Sequence, residues 1–230
     1  MVRSPRRITR KEIRRPDPFI TLTRRLFDLF TAHKAIFLSG TAVVAAILLA
    51  LWGWELYTDR QNRLAAQQFS LALSLYHNSQ YREALDALQK LDIYRSSRYR
   101  PFGLLYQAHT YMALNDSPKA DQAVQEFLRT ETRDFFLRQL ALLTLAHNQE
   151  RTGRCKEAIE TYAQAEALQA PFKEEALLGK ARCSGQLQNF NEALNAYRQF
   201  TINYPTSERA KEAALLAQQM EVKASASGGK

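Results

Sequence analysis

From Leu64 to Phe200 apolar residues recur at i, i+3, i+4 and i+7, with polar residues between them. That is the rhythm of amphipathic helices, not the alternation of strands. The helical segments come in pairs, and each pair carries two alanines twelve residues apart: Ala72/Ala84, Ala108/Ala120, Ala146/Ala158 and Ala181/Ala193. The second alanines follow one another at 36, 38 and 35 residues. Small residues at two fixed places in such a period are needed where only a methyl group fits between crossing helices. The pattern therefore predicts helical hairpins stacked into a solenoid.

Other positions repeat with the alanines. The first repeat ends SQYREALDALQKL, with Tyr81 three before Ala84 and Leu88 four after it. The fourth reads QNFNEALNAYRQF, with Phe190, Tyr197 and Phe200 in matching places, and the third GRCKEAIETYAQA, with Gly153 at the turn and Tyr162 below it. The second, NDSPKADQAVQEF, places Pro118 in the first turn of a helix, where a missing N–H costs nothing. Pro205 stops the last helix. Over about residues 62–205 these features resemble the tetratricopeptide repeat, without the tryptophan usual early in its first helix. The resemblance implies an all-α tetratricopeptide-like solenoid of about four repeats that binds proteins. A further helix, about Thr206–Val222, has Ala210, Ala213, Ala214, Leu215 and Ala217 near one face and is expected to cap the last repeat. The repeat domain then covers 58–222, and residues 223–230, ending SGGK, are expected to form a disordered tail.

Ahead of the repeats, Ala35–Trp54 is twenty residues without a charge, long enough as a helix to cross about 30 Å of hydrocarbon. Trp52, Trp54 and Tyr57 crowd one end, where amphipathic rings favour a membrane interface. A cleaved signal peptide fits poorly: the charged segment before the run is too long, and no small-x-small site follows. No cysteine follows the run for lipid attachment. A buried core helix is the other reading, and the sequence favours a retained single-pass transmembrane helix over residues 35–57.

Charge orients this anchor. The chain carries +9, and residues 1–34 hold ten Lys/Arg against three acids, a surplus of seven, so the remainder carries only +2. Basic residues mark the cytoplasmic side. The N-terminus is therefore expected in the cytoplasm and the repeats in the periplasm, with the chain in the bacterial inner membrane. Within 1–34, Asp17-Pro18 starts a candidate helix with Phe19, Leu22, Leu26, Phe27 and Phe30 on one face and Arg24, Arg25 and Lys34 flanking them. It suits anionic lipid, or the cytoplasmic loops of a membrane partner. The basic stretch Arg6–Arg15 lacks a folded reader module, so no nucleic-acid partner is expected.

No catalytic constellation stands out, so the chain is not expected to be an enzyme. Cys155 and Cys183 are its two cysteines. Repeat register brings the start of one helix beside the end of the other, so the pair either forms a disulfide in an oxidising compartment or fills the core as small buried thiols. Two ligands do not make a metal site. His109 and His147 share a repeat position, but repeats stand about 10 Å apart and carboxylate neighbours are lacking apart from Glu150, so no metal or cofactor is expected. Glu174 and Glu175 read as a solvated face.

The concave surface remains. Register assigns to it Phe69, Leu73 and Tyr76; then Leu105, Tyr106, His109 and Met112; then Leu143, His147 and Arg151; then Leu178 and Arg182. Tetratricopeptide proteins that clamp a C-terminal carboxylate carry Lys and Asn at several such positions. Here Phe, Leu and His stand there, which disfavours that ligand class. An aromatic groove with a basic end suits a peptide with exposed hydrophobic side chains, unless the chain's own N-terminal or capping helix fills it.

Basic N-terminus, single anchor and extracytoplasmic repeats together resemble the ancillary subunit of the bacterial Sec translocon. That resemblance implies a tethered module assisting translocation, folding or assembly of envelope proteins. Its implied partners are translocon subunits, a periplasmic chaperone, unfolded or nascent clients, and lipids around the anchor. Two alternatives stay open: a dedicated client chaperone, as in cytochrome c maturation, and a scaffold in a cell-division or secretion complex.

Overall fold

A computed structural model of the 230-residue chain describes residues 22–24, 27, 34–130 and 134–227. Its helices are α1 (Lys34–His77), α2 (Tyr81–Gln89), α3 (Arg100–Ala113), α4 (Ser117–Thr130), α5 (Phe135–Arg151), α6 (Cys155–Ala167), α7 (Lys173–Gln186), α8 (Phe190–Asn203) and α9 (Ala210–Ser227), with a 3-10 turn at Lys90–Ile93. Among the described residues every regular element is helical.

Packing contacts divide the chain between Tyr57 and Thr58. In the first unit, α1 supplies a helix long and apolar enough to cross a membrane. Its side chains stand in the open, with Leu48, Trp52 and Trp54 at least 60% exposed. The Trp54 and Tyr57 rings lie 6.1 Å apart. Of the expected amphipathic face before it, Leu22 and Phe27 are described and exposed, while Phe19, Leu26 and Phe30 lie outside the described residues.

In the second unit each alanine pair marks a helical hairpin. All eight alanines are at most 1% exposed, as required of methyl groups at helix crossings. The four turns share one backbone. Ser79, Asn115, Gly153 and Gln188, each five positions before the second alanine, have φ of 61°, 59°, 76° and 62°. In each, the next N–H reaches back five residues, as Gln80 does to Leu75 O (2.9 Å) and Arg154 to Gln149 O (2.8 Å). This left-handed closure satisfies a carbonyl left over at the helix end.

Consecutive helices from α2 to α9 pack together, and the first helices of adjacent hairpins also touch, α3 on α5 and α5 on α7. The last turns of α1 join α2 through Ala65, Ala72, Ala87, Leu88 and Leu91. Buried amides tie repeat to repeat. Gln139, fully buried, donates to Ala165 O (3.0 Å) and accepts from Phe172 N (2.8 Å), pinning the loop before α7. Asn148 donates to Ser117 O (2.9 Å) and Asp121 Oδ1 (2.8 Å). Asp134 caps α5 by accepting from Phe136 N (2.9 Å) and Leu137 N (3.1 Å). The loop after α2 is held by Arg98 N donating to Asn62 Oδ1 (3.0 Å).

Pro205 acts as expected: α8 ends at Asn203, and Tyr204 before the proline has left the helical region (φ −131°, ψ 57°). The cap α9 buries Ala213, Ala217 and Met220 against the last hairpin. It does not give way to a loose tail after Val222 but runs to Ser227. Alanine continues a helix readily, and Ser225 and Ser227 hydroxyls donate to Val222 O and Ala224 O (both 2.9 Å).

Candidate functional site: the two ends of the concave face

Two depressions lie on the side formed by the first helices. The first, about 350 Å³, is lined by Tyr76, Phe102, Leu105, Tyr106, His109, Leu140 and Thr144. Its rings brace one another edge to face, Tyr106 against Phe69 (5.5 Å, 80°) and against Tyr76 (5.7 Å, 90°). This geometry suits the ring quadrupoles and fixes the wall. Burial, and next the charges of Tyr81 and Tyr106, raise the Tyr76 hydroxyl pKa, keeping it neutral. Desolvation, then the neighbouring His147, lowers the His109 pKa, so this end carries a neutral imidazole.

The second depression is larger, about 920 Å³, and charged: Met112, His147, Glu150, Arg151, Gly153, Glu175, Arg182, Gln186 and Arg209 line it. Arg182 forms a fork on Glu150, Nε to Oε1 at 2.7 Å and Nη2 to Oε2 at 2.9 Å. The same Nη2 donates to Glu175 Oε1 (3.2 Å), and the Tyr162 hydroxyl donates to Glu150 Oε2 (2.7 Å). His147 Nε2 lies 3.0 Å from Glu175 Oε1, and Arg209 Nη1 pairs with Glu175 Oε2. Burial alone would raise both carboxyls. Donors from Arg182 and Tyr162 outweigh it and lower Glu150, and those from His147 and Arg209, with the Arg182 charge, bring Glu175 down to about 2. Burial opposes the charge on Arg182 as well, yet the Glu150 hydrogen bond and charge raise its pKa.

Tyr162 reaches this network because Gly179 has no side chain. A Cβ there would stand 2.3 Å from the Tyr162 ring. The two depressions occupy successive turns of α3 and α5, since Met112 follows His109 and His147 follows Thr144 at three residues each.

The comparisons bear on this architecture. Residues 30–199 match the tetratricopeptide repeat-like domain family. The chain belongs to that family. Its tetratricopeptide-like solenoid is similar to solved structures, each at low identity. A crystal structure of MamA shares 17% identity over 69% of this chain and 83% of that one, with a TM-score of 0.56. A tetratricopeptide repeat protein from Parabacteroides merdae shares 16% over 68% and 60%, with a TM-score of 0.57. PilW, described as a type IV pilus biogenesis factor, shares 21% over 69% and 72%, with a TM-score of 0.53. No curated protein matches the sequence. The family fold is that of a protein-interaction module.

Of the twelve residues that register assigns to the concave face, Tyr76, Leu105, Tyr106 and His109 line the aromatic depression. Met112, His147, Arg151 and Arg182 line the charged one. Phe69 stands behind Tyr106 as its support, and Leu73 is half-buried. Leu143 and Leu178 are as buried as Leu105, all under 8% exposed. Leu143 shares a core cluster with Ala146 and Ala158, and Leu178 shares one with Ala213 and Ala217 of the cap while lining a small cavity beside Arg182 and Arg209.

Glu175 is a second correction. It is no solvated face but the acceptor for two guanidinium groups and an imidazole, while its neighbour Glu174 accepts from the Ser207 hydroxyl (2.7 Å). Register could have found it. Phe102, Leu140 and Glu175 each stand six residues before the first alanine of their repeat. Glu150 likewise occupies the place of Tyr76 and Met112, four after it. Cys155 and Cys183 are neighbours in one buried cluster and stand as two thiols in this structure. Burial, then a hydrogen bond with Cys155, raises the Cys183 pKa. Among the described residues no cluster of metal-ligating side chains occurs.

Proposed function

We propose that this chain is a membrane-tethered protein-binding module that receives unfolded or assembling envelope proteins beside the Sec translocon. The observation carrying the reading is the aromatic depression, an apolar cavity walled by the first helices of three successive hairpins. Such a cavity suits an apolar side chain of a peptide laid across the solenoid. The apolar stretch of α1 supplies the tether, and the basic surplus before it supports a cytoplasmic N-terminus with the repeats in the periplasm. Tethering confines the groove near the membrane and raises its effective concentration for emerging chains. Translocon subunits, a periplasmic chaperone and nascent clients are the partners this placement favours, with lipid around α1.

In that oxidising compartment Cys155 and Cys183 can close a bond while the hairpins are docking, giving up two protons and two electrons to a disulfide-bearing oxidant. Non-reducing electrophoresis with thiol labelling reads this directly, and two free thiols in the periplasmic form would reject it.

The central test is crosslinking in living cells from a photoreactive residue at Tyr106. Many nascent chains together with translocon subunits are expected. A single recurring client would instead make this a dedicated chaperone, and assembly partners alone a scaffold. Capture of lipid only would end the groove reading.

A further inference from the structure

The charged depression is asymmetric in what its groups still have to offer. Both oxygens of Glu150 are engaged by Arg182 and Tyr162, and both of Glu175 by His147, Arg182 and Arg209. Each acid thus already accepts three hydrogen bonds from the protein. A guanidinium has five N–H donors. Arg209 places one side-chain donor, on Glu175, and Arg151 places one, on Met112 O (2.7 Å). Arg182 uses its Nε and Nη2 and keeps its Nη1. Three arginines against two glutamates leave the walls with one surplus positive charge. Most of the unused capacity is donor, since the guanidinium groups keep several N–H groups while each carboxylate has about one of its four acceptor sites left. Such a site complements an anion, and planar guanidinium groups favour a carboxylate.

The aromatic cavity is walled by α1, α3 and α5 and the charged depression by α3, α5, α7 and the segment before α9, so the two are offset by about 8–10 Å of helix spacing as well as by one helical turn. An extended peptide covers about 13 Å between residues i and i+4, whose side chains point to the same side. On the reading that the concave face binds peptide, we propose that the charged depression takes the carboxylate of an acidic side chain, four residues from an apolar side chain seated in the aromatic cavity. This partner chemistry differs from a chain terminus, since the acid lies within the bound segment.

The test uses full-length protein in lipid nanodiscs and fluorescent glycine-serine peptides, N-acetylated and C-amidated, with Phe and Asp four residues apart. Replacing Asp by Asn is expected to weaken binding about tenfold at low salt, the loss of a charge-assisted pairing. The double variant Arg151→Gln, Arg209→Gln is expected to bind the two peptides equally, and Arg151→Gln alone, at an exposed residue, to show part of that loss without changing the melting temperature. Equal binding of Asp and Asn peptides by the unmodified protein, with Phe still required, overturns the acidic pocket and leaves the groove standing. Equally tight binding of a peptide that lacks Asp but ends in a free carboxylate overturns it too, by assigning the pocket to chain ends. Binding of none of the peptides ends both readings.

Discussion

The aromatic and charged ends of the concave face are built from the same repeat positions. One place after the first alanine stand Leu73, His109, His147 and Arg182; four places after it stand Tyr76, Met112, Glu150 and Gly185. Six places before it, Phe102 and Leu140 give way to Glu175. The backbone is the same at both ends, but at one the side chains hold each other by ring contacts and at the other by charge. A solenoid fixes where a side chain is presented and leaves its chemistry open. The two ends should therefore fail differently when perturbed.

The largest difference is expected at Gly179. Its counterparts, two places before the first alanine, are Tyr106 and Thr144, which have side chains and room for them. Gly179→Ala drives a methyl into the Tyr162 ring and should cost about 3 kcal/mol by urea unfolding. Thr144→Ala at the aromatic end should cost about 1 kcal/mol. Equal losses would break the comparison.

Acid should loosen the charged end as pH falls below the unfolded carboxyl value of 4.5. At the aromatic end the lowered His109 pKa already costs stability as pH falls below its unfolded value of 6.5. The folded Glu175 pKa, about 2, lies below its unfolded value near 4.5. Its stabilisation is thus complete above the unfolded value and disappears as pH falls through the folded one. The carboxylate is a quarter exposed, so roughly 2 kcal/mol is at stake between pH 5 and 2. Urea midpoints of wild type and Glu175→Gln should converge over that interval. Parallel curves would show that the network does not stabilise the fold.

Tyr106→Ala removes two edge-to-face contacts and should cost about 1–2 kcal/mol with no change in pH dependence over the same acid interval. A pH-dependent loss there would mean that the two ends are coupled. The smallest effect concerns neither end. Ser79→Gly relieves a left-handed serine and should raise stability by about 0.5 kcal/mol in thermal melts, since glycine's flexible unfolded state offsets part of the gain.

Much of this fold could be read from the alanines, because a crossing that admits only a methyl fixes register to the residue. The aromatic end followed from the same count. A shared register position does not say how closely the next helix covers it: Leu105, Leu143 and Leu178 are all under 8% exposed, yet Leu105 lines the aromatic cavity and Leu178 a much smaller one beneath the cap. Glu175 was hidden for a different reason. Adjacent glutamates on a helix look like surface until their partners are known, and Arg209 lies in the segment before α9, beyond the repeating pattern. Isolated spacing could not reveal a network whose members come from three hairpin levels.

The four hairpin turns close through one backbone geometry while carrying Ser, Asn, Gly and Gln at the left-handed position. A common joint that tolerates different residues makes each hairpin an exchangeable cassette. A hairpin could be duplicated or replaced without redesigning its turn, provided the facing helices still mesh. The binding surface can then be rewritten one level at a time, so a new client preference requires new side chains on an old hinge and no new architecture.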